Sequence, residues 1–292
     1  MKRKIISSLL LFVFILSFAF SNVACAHTHV FDKQKATSEF LLTDATCKTS
    51  ATYYYSCSCG EKGTETFNGE LFKECVFEND VCVNCEQKKP TDGLSYQRLE
   101  NGTYSVSVGE AKDATDVVIP YSYNGIKVTE IAKNGFKECA NLVSVIIPES
   151  IESIGRFAFF SCPNLSSINI PSSITVINAS TFDSCTSLTS IELPESITTI
   201  EVAAFSNSGL KSITIPESVT SIKDSAFRYC TSLKKVIIPI GVTEIKSFAF
   251  ANIPGLGILC RAKSKPEGWI YNWYYEGMSS AEGLWLDWDY QD

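Results

Sequence analysis

Cysteine and histidine are the residues in this chain best suited to chemistry, and they are unevenly placed. Of 12 cysteines, six lie between residues 27 and 89: Cys47, Cys57, Cys59, Cys75, Cys82 and Cys85. The chain's 2 histidines, His27 and His29, stand at the front of the same segment. Cys82-Val83-Asn84-Cys85 is a CxxC, a spacing that suits metal chelation. Six thiolates and two imidazoles match the ligand number of two tetrahedral zinc sites. One partition is His29, Cys47, Cys57 and Cys59, with His27, Cys75, Cys82 and Cys85 as the second set. An exported segment with an even cysteine count is equally read as a disulfide framework, whose pairing the sequence does not choose. Under either reading the role is a staple, because this segment has few Ile, Leu or Val residues with which to build a core.

Catalytic chemistry finds little support. With both histidines before residue 30, the rest of the chain cannot hold a Ser-His-Asp or Cys-His constellation. There is no G-x-S-x-G, H-E-x-x-H, phosphate-binding loop or dinucleotide fingerprint. No acid–base pair stands at a recognisable spacing near the metal-ligand candidates. We therefore expect a non-enzyme that requires no cofactor beyond a structural zinc.

The elements that position these residues begin with an export segment at 1–26. Lys2, Arg3 and Lys4 precede an apolar run over residues 5–20, the length of a signal-peptide core and short for a membrane span. Cleavage after Ala26 would release the chain from His27. Cleavage before Cys25 would leave that cysteine as a lipidated first residue, although Asn22 is unusual in such a site. The formal net charge of −7 falls to −10 once the three leader cations are gone, which argues against nucleic acid or an anionic membrane as partner. Membrane attachment is expected only through the leader or a lipid on Cys25. Residues 27–89 form the Cys/His module. Its aromatic run at 53–55 favours a strand in a small β unit. Residues 90–127 are assigned to a linker and an N-terminal cap.

From Val128 to about Pro266 one phrase is written six times. Phe136, Phe159, Phe182, Phe205, Phe227 and Phe250 form one column. Leu142, Leu165, Leu188, Leu210, Leu233 and Leu256 form another. Proline recurs at 148, 171, 194, 216 and 239. The step is 23 residues, with one step of 22 where a residue is missing between Phe205 and Leu210. Such a period marks a solenoid, in which stacked units bury one continuous core. I-x-I alternation predicts a strand that the following proline ends, and the A-F-x-x-C-x-x-L stretch predicts a short helical turn. Cys139, Cys162, Cys185 and Cys230 share a column in which an isoleucine, Ile253, also stands, so they read as small core thiols.

The phrase I-x-x-A-F-x-x-C-x-x-L-x-x-I-x-I-P-x-S resembles the BspA-like, bacterial surface type of leucine-rich repeat, over about half of the chain. The resemblance implies a right-handed stack with a parallel β-sheet face, and a surface protein that binds other proteins, in some relatives host matrix proteins. The segment before it is similar to small Cys/His repeats at the front of gut-bacterial surface proteins, where Y-x-C-x-x-C-G is usual; Cys57-Ser58-Cys59 is one residue shorter.

Strand alternation fixes which residues such a partner would meet. Ser144 and Ile146 point outward, as do Ser167 and Asn169, Ser190 and Glu192, Ser212 and Thr214, and Lys235 and Ile237. The expected partner is an extracellular or host protein lying on this face. Residues 267–292 hold all 4 tryptophans. They are expected to cap the last repeat, with a sugar-stacking platform or a purely structural envelope role as the alternative.

Overall fold

In the computed structural model, the residues described are 88–274 and 285–291, together with short strands at 41–43, 52–56, 62–68, 77–78 and 81–82. The short early strands pair antiparallel, Leu41–Thr43 with Thr52–Ser56, that strand with Lys62–Asn68, and Phe77–Glu78 with Val81–Cys82. From residue 104 onward the chain winds as a solenoid whose coils pair through parallel strands, with one antiparallel hairpin of Ser122–Tyr123 onto Ile126–Ile131.

Each coil has three sides. The first is a ladder built by the I-x-x-I residues, including Ile126–Ile131, Ser153–Ile154, Val176–Ile177, Thr199–Ile200, Ser221–Ile222 and Glu244–Ile245. The second is the I-x-I face, including Asp116–Val118, Ser144–Ile146, Ser167–Ile168, Lys235–Ile238 and Gly257–Cys260. Parallel strands therefore line two sides of the stack. Of the residues that alternation turns inward, Val145, Ile147, Ile170, Ile191, Ile213, Ile215, Val236 and Ile238 are buried, and Ile168 and Leu193 are half-buried against the core.

The third side is the A-F-x-x-C stretch, and here the expected helical turn is replaced by something else. Two residues in every coil, four apart, sit at positive φ: Phe157 at 59° and Ser161 at 55°, for example. A helix would aim each N–H at its own preceding turn. The left-handed residues break that run and turn N–H groups toward the next coil. Phe157, Phe159 and Ser161 donate to the carbonyls of Ala179, Thr181 and Asp183 at 3.0, 3.0 and 2.9 Å. The side is thus a third main-chain ladder.

Inside lie the phenylalanines. All six are buried, and consecutive rings stack with centroids 5.0–5.7 Å apart and planes within 13° of parallel. Beside them the thiols do more than fill space. The Sγ of Cys162, Cys185 and Cys230 donates to the carbonyl of Phe136, Phe159 and Phe205 in the preceding coil, at 3.1, 3.2 and 3.0 Å. Ser208 takes the cysteine's place in the fourth copy, its Oγ 3.2 Å from Cys230 Sγ. The missing residue follows it. Gly209 passes so close to the neighbouring coil that a Cβ there would lie 2.1 Å from the Thr186 carbonyl oxygen. The serine of I-P-x-S is a stitch as well: Ser196 and Ser218 donate to Ile174 and Ile197 one coil back, at 2.6 and 2.7 Å.

Both ends continue the ladders. At the start, Tyr104–Ser107 pairs parallel with Ile126–Ile131, and Ser95–Arg98 folds back antiparallel on it. The start of the expected linker runs along the edge of the first face strand: Thr91 N–H donates to Val118 O at 3.0 Å, and Thr91 Oγ1 accepts from Val118 N–H at 2.9 Å. At the other end Trp269 pairs in the ladder beside Ile245, and Trp285–Trp288 pairs with Gly257–Cys260. Trp273 closes the phenylalanine stack edge-on, 6.0 Å from Phe250.

Candidate partner-binding face

The outward alternation of the I-x-I face is as the sequence predicts, but several of its residues are already engaged. Ser144 Oγ donates to the Asp116 carboxylate, which also accepts from Thr115 Oγ1 at 2.8 Å. The Ser144 bond above all, then the Thr115 bond and the charge of Lys88, hold the Asp116 carboxyl below its ordinary pKa. Asn169 grips the previous coil. Its Oδ1 accepts from Ile147 N–H at 2.8 Å, and its Nδ2 donates to Ile147 O at 2.7 Å. Lys235 lies over the Tyr290 ring at 5.5 Å. Ile237 is half-buried and Ile146 is exposed. Ser167, Ser190, Glu192, Ser212 and Thr214 remain exposed with their side chains free of hydrogen bonds among the described residues.

The centre of the face has a feature that alternation did not foretell. The strand ladder stops after Ser167–Ile168 and resumes only at the Ser212–Lys235 bridge. Residues 190–193 make no main-chain hydrogen bond among the described residues, although the chain on either side does. Ser187 N–H donates to Pro163 O at 3.0 Å before them, and Thr198 N–H donates to Thr175 O at 2.8 Å after them. The first ladder is open between the same two copies. Ile154 and Ile177 are unpaired there, and the Asn178 amide reaches across to Ile154 O at 2.7 Å. The junction between the second and third copies is therefore a seam in both β ladders, crossed by the Asn178 side chain and by the main-chain bonds of the third side. On the face, that seam opens into a shallow hollow of about 270 Å³ lined by Ser167, Asn169, Ser190 and Glu192. A second hollow, of about 550 Å³, lies between Lys88–Thr91 and the Asp116–Ser144 pair.

At the aromatic end the described tryptophan side chains are packed inward or on one another. Trp269 and Trp273 are each 1% exposed, and Trp288 packs on Trp269 at 5.6 Å. The Trp269 indole N–H is spent on Val242 O at 3.0 Å. Among the described aromatic side chains of this end, Tyr271 is the exposed one. Of the metal-ligand candidates, His27, His29, Cys47, Cys57, Cys59, Cys75 and Cys85 lie outside the described residues, as does Cys25. Cys82 is described only as part of the strand Val81–Cys82. Among the described residues no three His, Cys, Asp or Glu side chains gather as a metal site would require.

Coils stacked through parallel ladders around one aromatic column define a β-solenoid repeat protein. The sequence matches the BspA type leucine rich repeat region, in six copies, over residues 113–234 and 198–259. The chain belongs to that family. No curated protein matches it. Among solved structures, a T. pallidum leucine rich repeat protein is 31% identical, with a TM-score of 0.56, covering 59% of this chain and 80% of that one. A leucine rich cell surface protein from Faecalibacterium prausnitzii is 40% identical, with a TM-score of 0.46. The match covers 50% of this chain but only 38% of that relative. A leucine-rich repeat protein from Bacteroides ovatus is 22% identical with a TM-score of 0.45, over 68% of this chain and 66% of that one.

Proposed function

We propose that this protein is exported to the cell surface and acts there as a non-catalytic module that binds another protein through its I-x-I face. The observation that carries the reading is the opening at residues 190–193, where main-chain donors and acceptors are left unpaired in the middle of an exposed, small-residue face. Buried main-chain groups are almost always paired, so an exposed row of unpaired ones is a ready template for a partner's polar groups. The family to which the chain belongs and its likeness to the F. prausnitzii cell surface protein support the location. The basic and apolar leader supports it too. The face lacks the Trp, Tyr and Arg that dominate tight interfaces, so a single copy binds weakly and many surface copies act together.

The test is the double change Ser190→Arg and Glu192→Arg. Both side chains are exposed, so the fold survives. Binding of an extracellular protein captured by the mature chain should be lost. Binding that survives this change would remove the face from consideration. In the same scheme the 27–89 module is a zinc or disulfide staple that holds no catalytic group. Zinc and free thiols measured together on the purified chain separate the two, and the mass of the mature N-terminus separates release at His27 from a lipid on Cys25.

A further inference from the structure

The repeats allow each coil to be compared with its siblings, and the third side shows three departures. Its two left-handed positions are filled by Asn134, Ser180, Ala203 and Ser225 in one column and by Glu138, Ser161, Ser184, Asn207 and Asn252 in the other. Asparagine and small polar residues tolerate positive φ, whereas bulky side chains are outliers there. Yet Phe157, Phe248 and Tyr229 occupy these positions at 59°, 59° and 62°. None of them belongs to the core: Phe157 and Phe248 are half-buried and Tyr229 is 44% exposed.

Each of these rings carries a cation. The Arg156 guanidinium lies 6.0 Å from the Phe157 ring. Phe157 meets Phe160 edge-on at 5.9 Å, and Lys137 Nζ is 5.4 Å from the Phe160 ring. Three coils on, Arg228 lies 4.8 Å from the Tyr229 ring and 5.4 Å from that of Phe248. In a chain of net charge −7, this edge carries Lys133, Lys137, Arg156 and Arg228. Lys133 and Arg156 make no ion pair among the described residues. Of the acids along it, Glu138 is paired with Lys137 at 3.3 Å and Asp183 accepts from the Ser184 hydroxyl at 2.9 Å. Asp224 stands exposed in the same coil as Arg228 and Tyr229, and Glu201 stands half-buried on the coil before it.

We propose that this edge is a second docking surface, independent of the I-x-I face, for an extended, carboxylate-bearing peptide segment of a partner protein. Arginine and aromatic residues are the usual anchors of such contacts, and cations resting on rings are held in place to meet carboxylates. Coils about 4.8 Å apart put the two patches roughly 14 Å apart, which an extended chain at about 3.3 Å per residue spans in four to five residues. The segment thus carries acids four or five residues apart, with neutral residues between them where it passes Asp183 and Glu201.

The probe is a labelled nine-residue peptide with glutamates at its third and seventh positions, titrated against the full chain by fluorescence anisotropy. It should bind, and added salt should weaken it. The pair Phe157→Asn and Tyr229→Asn installs the residue that siblings already use. It should lower affinity about tenfold or more, as loss of interface anchors does, with the melting temperature unchanged or raised. A second pair, Lys133→Gln and Arg156→Gln, removes charge without touching the backbone and should also lower affinity. Ser190→Arg with Glu192→Arg should leave peptide binding intact, which keeps this result separate from that of the I-x-I face. A wild-type chain that ignores the peptide, or binds a lysine-for-glutamate version equally well, overturns the proposal. So does a chain that takes up chondroitin sulfate while the peptide stays inert.

Discussion

Phe182 and Cys185 stand three residues apart and hold adjacent coils together in different ways. The Phe182 ring is sandwiched between Phe159 and Phe205 at 5.7 and 5.4 Å, so truncation opens a void in the stack on both sides. Phe182→Ala should cost about 3–5 kcal/mol in chemical denaturation. Burial, its largest cause, pushes the Cys185 thiol up to about 12. It therefore stays protonated and donates to Phe159 O, and a thiol reagent at neutral pH should reach it only after unfolding. Cys185→Ser should be mild, because Ser208 already serves in that column. Glu244 shows the reverse shift. Hydrogen bonds from Lys223 above all, then Lys246 and Ser221, hold its carboxyl at about 2. A depressed folded pKa means its contribution is present above the ordinary carboxylate range and is lost as pH falls toward 2. The Glu244→Gln chain should melt below wild type at pH 7, and the two melting curves should converge near pH 2.

Among the elements, the asparagine bridges are the least replaceable surface residues. Asn169 satisfies both main-chain groups of Ile147, so Asn169→Ala strands a donor and an acceptor near the core. The expected loss is about 1–3 kcal/mol, read from the denaturation midpoint. The segment at 190–193 has the opposite character. Its amides lack protein partners, so in native-state hydrogen exchange they should be the fastest of the I-x-I face. Those of Ser221–Ile222, held between two paired strands, should be among the slowest. Protection of residues 190–193 equal to that of their neighbours would show the ladder to be closed in solution.

At the scale of the molecule, the stack stays together because every coil is bonded to the next on at least one side. Where both β ladders open, between the second and third copies, the third side carries its full set of bonds from Phe157, Phe159 and Ser161. Each coil relies mainly on its neighbours, so an end needs a lid that resembles a coil. Trp273 provides one, filling the place a seventh phenylalanine would take. Trp273→Ala should expose the Phe250 ring and lower the melting temperature of the whole stack, at a cost of about 3–5 kcal/mol.

Repetition made the solenoid legible without coordinates. Six phenylalanines and six leucines at one spacing must share an environment, and I-x-I alternation sorts inward from outward residues because a strand has a period of two. Burial of Phe182, Leu188 and Val145 follows from that alone. The tertiary structure decided what depends on the distance between coils. Whether Asn169 faces a ligand or grips Ile147 turns on a neighbour 22 residues away. Whether A-F-x-x-C closes as a helix or reaches across to the next coil turns on left-handed residues that one coil's propensities do not reveal. Whether Trp269 and Trp273 stand out or form a lid turns on the apolar layer of the last coil, which both cover.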